Sequence, residues 1–162
     1  MPRFLSAANS ALFLLALGIA LSACAASTAL TGEVRVKARD PQVWNDYMPG
    51  SRPLCHATMT LTLRNTTGKD IVLHGGEGVL ENPRTGAPLR RFSLVMLYQN
   101  VETPEVRLAP GTEIEIMVRT PIGVPAFDHK LHDRVRFSAD IRTSLERPLR
   151  VHARPVAPFV TQ

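Results

Sequence analysis

The sequence predicts an all-β fold: an antiparallel two-sheet, immunoglobulin-like β-sandwich of seven or eight strands, set behind an N-terminal signal peptide. Three observations point there. Apolar residues recur at every second position in segment after segment, which is the period of a half-buried strand. Gly, Pro, Asn and Asp separate these segments at short intervals, as turns do. No segment of any length carries apolar residues at the helical period. Strands with one apolar face must bury it against a second sheet, and the close spacing of the turns favours a sandwich over a barrel.

Residues 33–38 alternate strictly, with Val34, Val36 and Ala38 on one face. Residues 57–64 alternate over a longer stretch, with Ala57, Met59, Leu61 and Leu63 inward and three threonines and Arg64 outward. The segment Asn65-Thr66-Thr67-Gly68-Lys69-Asp70 reads as a turn, and Ile71 to Leu73 as the returning strand. His74-Gly75-Gly76 reads as a flexible turn, since two glycines with no helix behind them do not make a phosphate loop. Val79 to Glu81 and Leu89 to Leu97 flank Asn82-Pro83-Arg84-Thr85-Gly86 and predict a hairpin. Further strands are predicted at 106–108, at 113–119 (Ile114, Ile116 and Val118 inward), at 134–142 (Val135, Phe137, Ala139 and Ile141 inward) and at 149–153, before Pro155 and Pro158. The "strand, Asn-Thr-Thr-Gly-Lys-Asp, strand" pattern followed by "Leu-Ala-Pro-Gly, strand" resembles generic bacterial immunoglobulin-like modules, a likeness that implies a fold and no particular activity. Two long loops are expected, Asp40 to His56 and Pro121 to Asp133.

The first residues follow a different logic. Arg3 is the only charge before Glu33, and Ala11 to Leu21 is an apolar run with no polar face. At 11 residues the run is too short for the roughly 20 that a bilayer-spanning helix needs, and it fits a signal-peptide core. Leu21-Ser22-Ala23-Cys24 then resembles the lipobox of bacterial lipoproteins. The resemblance implies cleavage before Cys24 and lipid attachment at that cysteine, whose acyl chains hold the protein to the bilayer. It makes residues 1–23 the signal peptide, 24–31 the lipidated cysteine and a flexible tether, and 32–162 the sandwich domain. Ala25 is compatible with transfer to the outer membrane by the same likeness. The expected location is therefore the cell envelope, at the outer membrane and facing the periplasm.

Removing residues 1–23 from the 162 leaves 139, enough for one domain with a real core, and loss of Arg3 takes the net charge from +5 to +4. The arginines are scattered with no block of like charge, so a nucleic-acid partner is not indicated. Solvated strand faces explain this spread, with a mildly basic surface toward anionic lipid or cell wall as the alternative. If Cys24 is lipidated, Cys55 is left unpaired. By strand parity it shares a face with Ala57 and Met59, which makes it a buried, inert thiol.

Candidate chemistry is sparse. In Asp128-His129-Lys130-Leu131-His132-Asp133, a helical turn places His129 and His132 on one face, within reach of one transition metal, with Asp128 or Asp133 in support. The alternative is a polar turn in which Asp128 caps a short helix. Met48, Cys55, His56 and Met59 faintly resemble the soft ligand sets of small periplasmic copper chaperones, but no later His-x-Met pair is present, and core packing of Cys55 is favoured. Trp44, Tyr47 and Met48 read either as a recognition surface or, with slight preference, as a lid over one open end of the sandwich. Asn65-Thr66-Thr67 matches a glycosylation sequon of little weight in a bacterial lipoprotein. No nucleophile motif or nucleotide loop is present. The reading is a lipid-anchored, non-enzymatic binding or envelope-assembly module with a periplasmic protein partner and no cofactor or resident metal. Copper or zinc binding and delivery is the alternative.

Overall fold

The computed structural model describes residues 29–31 and 34–161; the expected signal peptide and Cys24 lie outside them. Among the described residues the chain is all-β, with twelve strands and one short 3-10 helix, His129–Leu131. No helix among them is long and apolar enough to cross a membrane.

Two sheets form the sandwich expected from the alternation. The larger is built from β1 (Ala29–Thr31), β2 (Val34–Asp46), β3 (Leu54–Asn65), β9 (Glu113–Arg119), β6 (Val95–Tyr98) and β7 (Val101–Glu102), in that spatial order, with β12 (Phe159–Thr161) also on β2. The smaller runs β11 (Leu149–His152), β10 (Arg136–Thr143), β4 (Ile71–Glu81) and β5 (Pro88–Ser93), with β8 (Glu105–Leu108) also on β4. All pairings are antiparallel except that of β12 with β2. Between the sheets lies one core, in which Leu61, Leu63, Ile71, Leu80, Leu108, Phe137 and Ile141 are wholly buried. Its inward set from β3, β9 and β10 is the one read from every second residue, with Ile114 partly buried at the margin.

The departures from expectation have local causes. Of the tether expected at 24–31, the last three residues pair with β2 as β1. The loop expected from Asp40 to His56 is mostly a hairpin: β2 runs on to Asp46, β3 begins at Leu54, and only 47–53 connect them. The cause is a bulge, marked by a register shift between Arg39 and Gln42 and a left-handed Asp40 (φ 49°). An extra residue in one strand reverses its parity. Before the bulge the even positions Val34 and Val36 face inward; after it the odd positions Pro41, Val43 and Asn45 do.

His74-Gly75-Gly76 is no turn either; it lies inside β4 and joins two segments expected to be separate strands. Glycine serves close approach here, since a Cβ on Gly76 would meet the Asp140 backbone and one on Gly78 the Phe92 ring. The stretch expected as one strand from Leu89 to Leu97 breaks at buried Leu94, where the chain leaves the small sheet as β5 and joins the large one as β6. Beyond β11, the tail bridges Val135 through Val156 before closing as β12, a strand the prolines had concealed.

Candidate functional site

One end of the sandwich gathers most of the residues singled out in the sequence. There the β2–β3 hairpin tip, the loop 121–133 and β12 meet. Leu54 bridges Pro125, and the Cys55 amide donates to the Val124 carbonyl at 2.7 Å. The Tyr47 amide donates to the Thr161 carbonyl at 3.0 Å. Arg90, on β5, straps the loop down: its Nε donates to the Pro125 carbonyl at 2.9 Å and another guanidinium nitrogen donates to that of Ala126. Buried Asn45 donates from Nδ2 to the Phe127 carbonyl at 2.7 Å.

The expected groupings within this end separate. Asp128 caps the 3-10 helix, its carboxylate accepting from the Lys130 amide at 3.0 Å. His129 turns to Tyr47, with 3.5 Å between Nδ1 and the phenol oxygen and a T-shaped ring contact. His132 instead packs against the Phe127 ring, and Asp133 pairs with Arg84 at 3.1 Å. Met48, Cys55, His56 and Met59 also part company: Cys55 and Met59 are in the core, Met48 is exposed at the hairpin tip, and His56 faces outward. Burial pushes the Cys55 thiol up to about 12, opposed weakly by the charge of Arg90, so the group is a protonated core residue. Among the described residues no three His, Cys, Asp or Glu side chains come together as metal ligands.

Trp44 does not cover an open end. It lies on the outer face of the large sheet, stacked between His56 (5.1 Å, 20° interplanar) and Phe159 (5.8 Å, 12°), so three adjacent strands carry one aromatic column. Around the same end stand four exposed large apolar side chains: Met48 at 59% exposure, Ile122 at 84%, Leu131 at 74% and Phe159 at 48%. Alternation could not reveal them, because each belongs to a loop or to a strand hidden by prolines.

Two further features were invisible in the sequence, because they join residues far apart in it. On the outer face of the small sheet, Ser138 lies between Glu81 and His152, at 3.1 Å and 2.8 Å, and Arg136 reaches Glu81 at 3.4 Å. The Ser138 hydroxyl thus bridges a carboxylate and an imidazole. The second feature is a cleft of about 700 Å³ where the free edge of β2 faces the β11 side of the small sheet. Lys37, Arg39, Arg136 and Arg154 line it, with His152 and one acid, Asp40.

No protein-family model and no curated protein matches the chain. Among solved structures it is similar to a structural-genomics consortium target determined by X-ray (TM-score 0.45, 13% identity, 79% of this chain and 87% of that one). It is similar also to a Bordetella pertussis protein assigned as ApaA (TM-score 0.42, 12% identity, 76% and 90%). A third is the apo PmoF2 PCuAC domain (TM-score 0.39, 8% identity, 75% and 88%). By its own strand pairing the chain is an all-β, two-sheet sandwich protein.

Proposed function

We propose that this chain is a lipoprotein held at the outer membrane through Cys24, whose sandwich is a non-enzymatic module that binds a periplasmic protein. The observation that carries the binding reading is the grouping of Met48, Ile122, Leu131 and Phe159 on segments that meet at one end. Exposed apolar side chains scattered singly need no explanation, but a group on one rim marks a contact surface. The segments beneath are fixed by Arg90 and by the Asn45 contact, so the surface is held in place before a partner arrives. Copper or zinc delivery has less support, since the soft ligands Cys55 and Met59 point into the core while His56 points away from it.

The anchor and the surface are tested separately. Cys24→Ser should move folded protein from the membrane to the soluble fraction; a variant that remains membrane-bound after signal cleavage would remove the anchor reading. Ile122→Asp with Leu131→Asp should leave folding intact, because both residues are exposed. A protein that co-purifies with the detergent-solubilised wild type should be lost with this double variant. Equal recovery with both would sink the surface assignment.

A further inference from the structure

The basic cleft has a position as well as a charge. β1 pairs antiparallel with the start of β2, Ala29 opposite Val36, so the chain enters the fold beside Lys37, the first residue lining the cleft. Cys24 is five residues before Ala29 in the sequence, and a fully extended chain covers at most about 3.6 Å per residue. The anchoring cysteine is therefore within about 18 Å of Ala29.

The charges on this side are cancelled only in part. Arg39 is paired with Glu115, and Arg136 with Glu81, but Lys37 and Arg154 have no carboxylate within ion-pair distance among the described residues. Both are exposed. Arg35, Lys37 and Arg39 stand on successive outward positions of β2, and Arg64 lies beside them on β3, facing Glu113 and Glu115. The excess of cations thus surrounds the entry point of the chain. Along β2 the cleft runs from Lys37 to Pro41, and Phe159 of the apolar rim stands opposite Trp44, three residues further on.

We propose that the cleft bounded by Lys37, Arg136 and Arg154 is where the domain rests on an anionic bilayer surface, its cations taking the phosphates of lipid headgroups. The proposal builds on the reading of Cys24 as the anchor. It adds an orientation: the free edge of β2, where the chain enters the fold, lies on the membrane. Juxtamembrane cations each contribute attraction to anionic lipid, and the attraction is screened by salt.

The test uses the chain from Ala25 on, which contains the whole buried core and has no Cys24. It should co-sediment with vesicles of phosphatidylglycerol mixed into phosphatidylcholine, stay in solution with phosphatidylcholine alone, and be released by raised salt. Lys37→Gln with Arg154→Gln breaks no ion pair and should weaken binding about 25-fold, at roughly fivefold per cation. Arg52→Gln with Lys130→Gln, which removes two cations from the hairpin tip and the 121–133 loop, outside the cleft, should change it little. Equal binding to both vesicle types, or equal loss in the two double variants, would overturn the proposal. So would a thermal shift with inorganic phosphate in a protein that ignores anionic vesicles, which would make the cleft a site for soluble anions. Because Cys24 is absent from the experiment, its failure would leave the lipid anchor standing. A failed release by Cys24→Ser would, in turn, leave the vesicle result untouched.

Discussion

The two ends of the large sheet each bury an asparagine, and the two are held very differently. Asn65, at the β1 end, donates from Nδ2 to the Lys69 carbonyl at 2.8 Å and to the Leu108 carbonyl at 2.9 Å. Its Oδ1 accepts from the Thr67 amide at 2.9 Å and from the Thr67 hydroxyl at 2.7 Å. Asn45, at the hairpin-tip end, makes only the bond to Phe127, and its Oδ1 accepts none from the protein. An asparagine amide offers two donors and a two-lone-pair acceptor, so Asn65 is saturated and Asn45 is not. One end is thus locked by a closed polar network. At the other, which has the exposed apolar rim, Asn45 makes a single bond, and the segments are tied instead by Arg90 and by backbone bonds.

The largest expected effect tests this contrast directly. Asn65→Ala removes four hydrogen bonds and strands the buried Leu108 carbonyl, and should cost about 3 kcal/mol, while Asn45→Ala should cost about 1 kcal/mol. Urea unfolding reads both, and a similar loss in the two variants would erase the difference between the ends. The saturation of Asn65 also closes the glycosylation question: the wholly buried side chain of the Asn65-Thr66-Thr67 sequon is fully engaged in shaping its turn.

A smaller effect, confined to the hairpin-tip end, comes from Cys55, which sits opposite Asn45 in the β2–β3 ladder. Its thiol titrates near 9 when unfolded and is pushed up to about 12 by burial. A raised folded value stabilises the protein fully below pH 9; the contribution is lost as pH rises toward 12, where the unfolded chain ionises and the folded chain does not. By pH 10 the loss should reach about 1.4 kcal/mol. Cys55→Ala should flatten this alkaline decline while lowering stability modestly at neutral pH. A decline of unchanged slope would show that other groups control it.

What the sequence disclosed and what it hid follow the same division of the molecule. Unbroken alternation made β3, β9 and β10 legible down to the facing of each side chain, because one apolar face against one sheet leaves no other solution. The bulge at Asp40 broke that logic. A single extra residue turned inward positions outward, so the continuation of β2 looked like an irregular loop and Trp44 like part of a lid. The glycines of β4 misled for a related reason: Gly76 and Gly78 mark close packing, although nothing local distinguishes that from a turn. At the site, the cap at Asp128 and the burial of Cys55 were both readable from residue type and parity. The basic cleft was not, since Lys37, Arg136 and Arg154 meet only through the packing of one sheet edge against the other.

The smallest effect isolates the aromatic column at the hairpin-tip end. Trp44 is the only tryptophan, and its ring neighbours among the described residues are His56 and Phe159, on which its emission reports. Phe159→Ala removes one stacking face and should cost about 0.5–1 kcal/mol, with a red shift of emission as water reaches the indole. β12 is held to β2 by its own backbone ladder and by the Tyr47 amide, so the strand should stay in place and the shift should not be accompanied by a change in the cooperativity of unfolding. If instead the emission stays put, Phe159 does not cover Trp44 in solution, and the apolar rim loses the member that links it to the outer face of the sheet. If the emission shifts and partner binding weakens together, the column is part of the contact surface. Its ordered rings would then extend the rim of Ile122 and Leu131 onto the outer face of the large sheet.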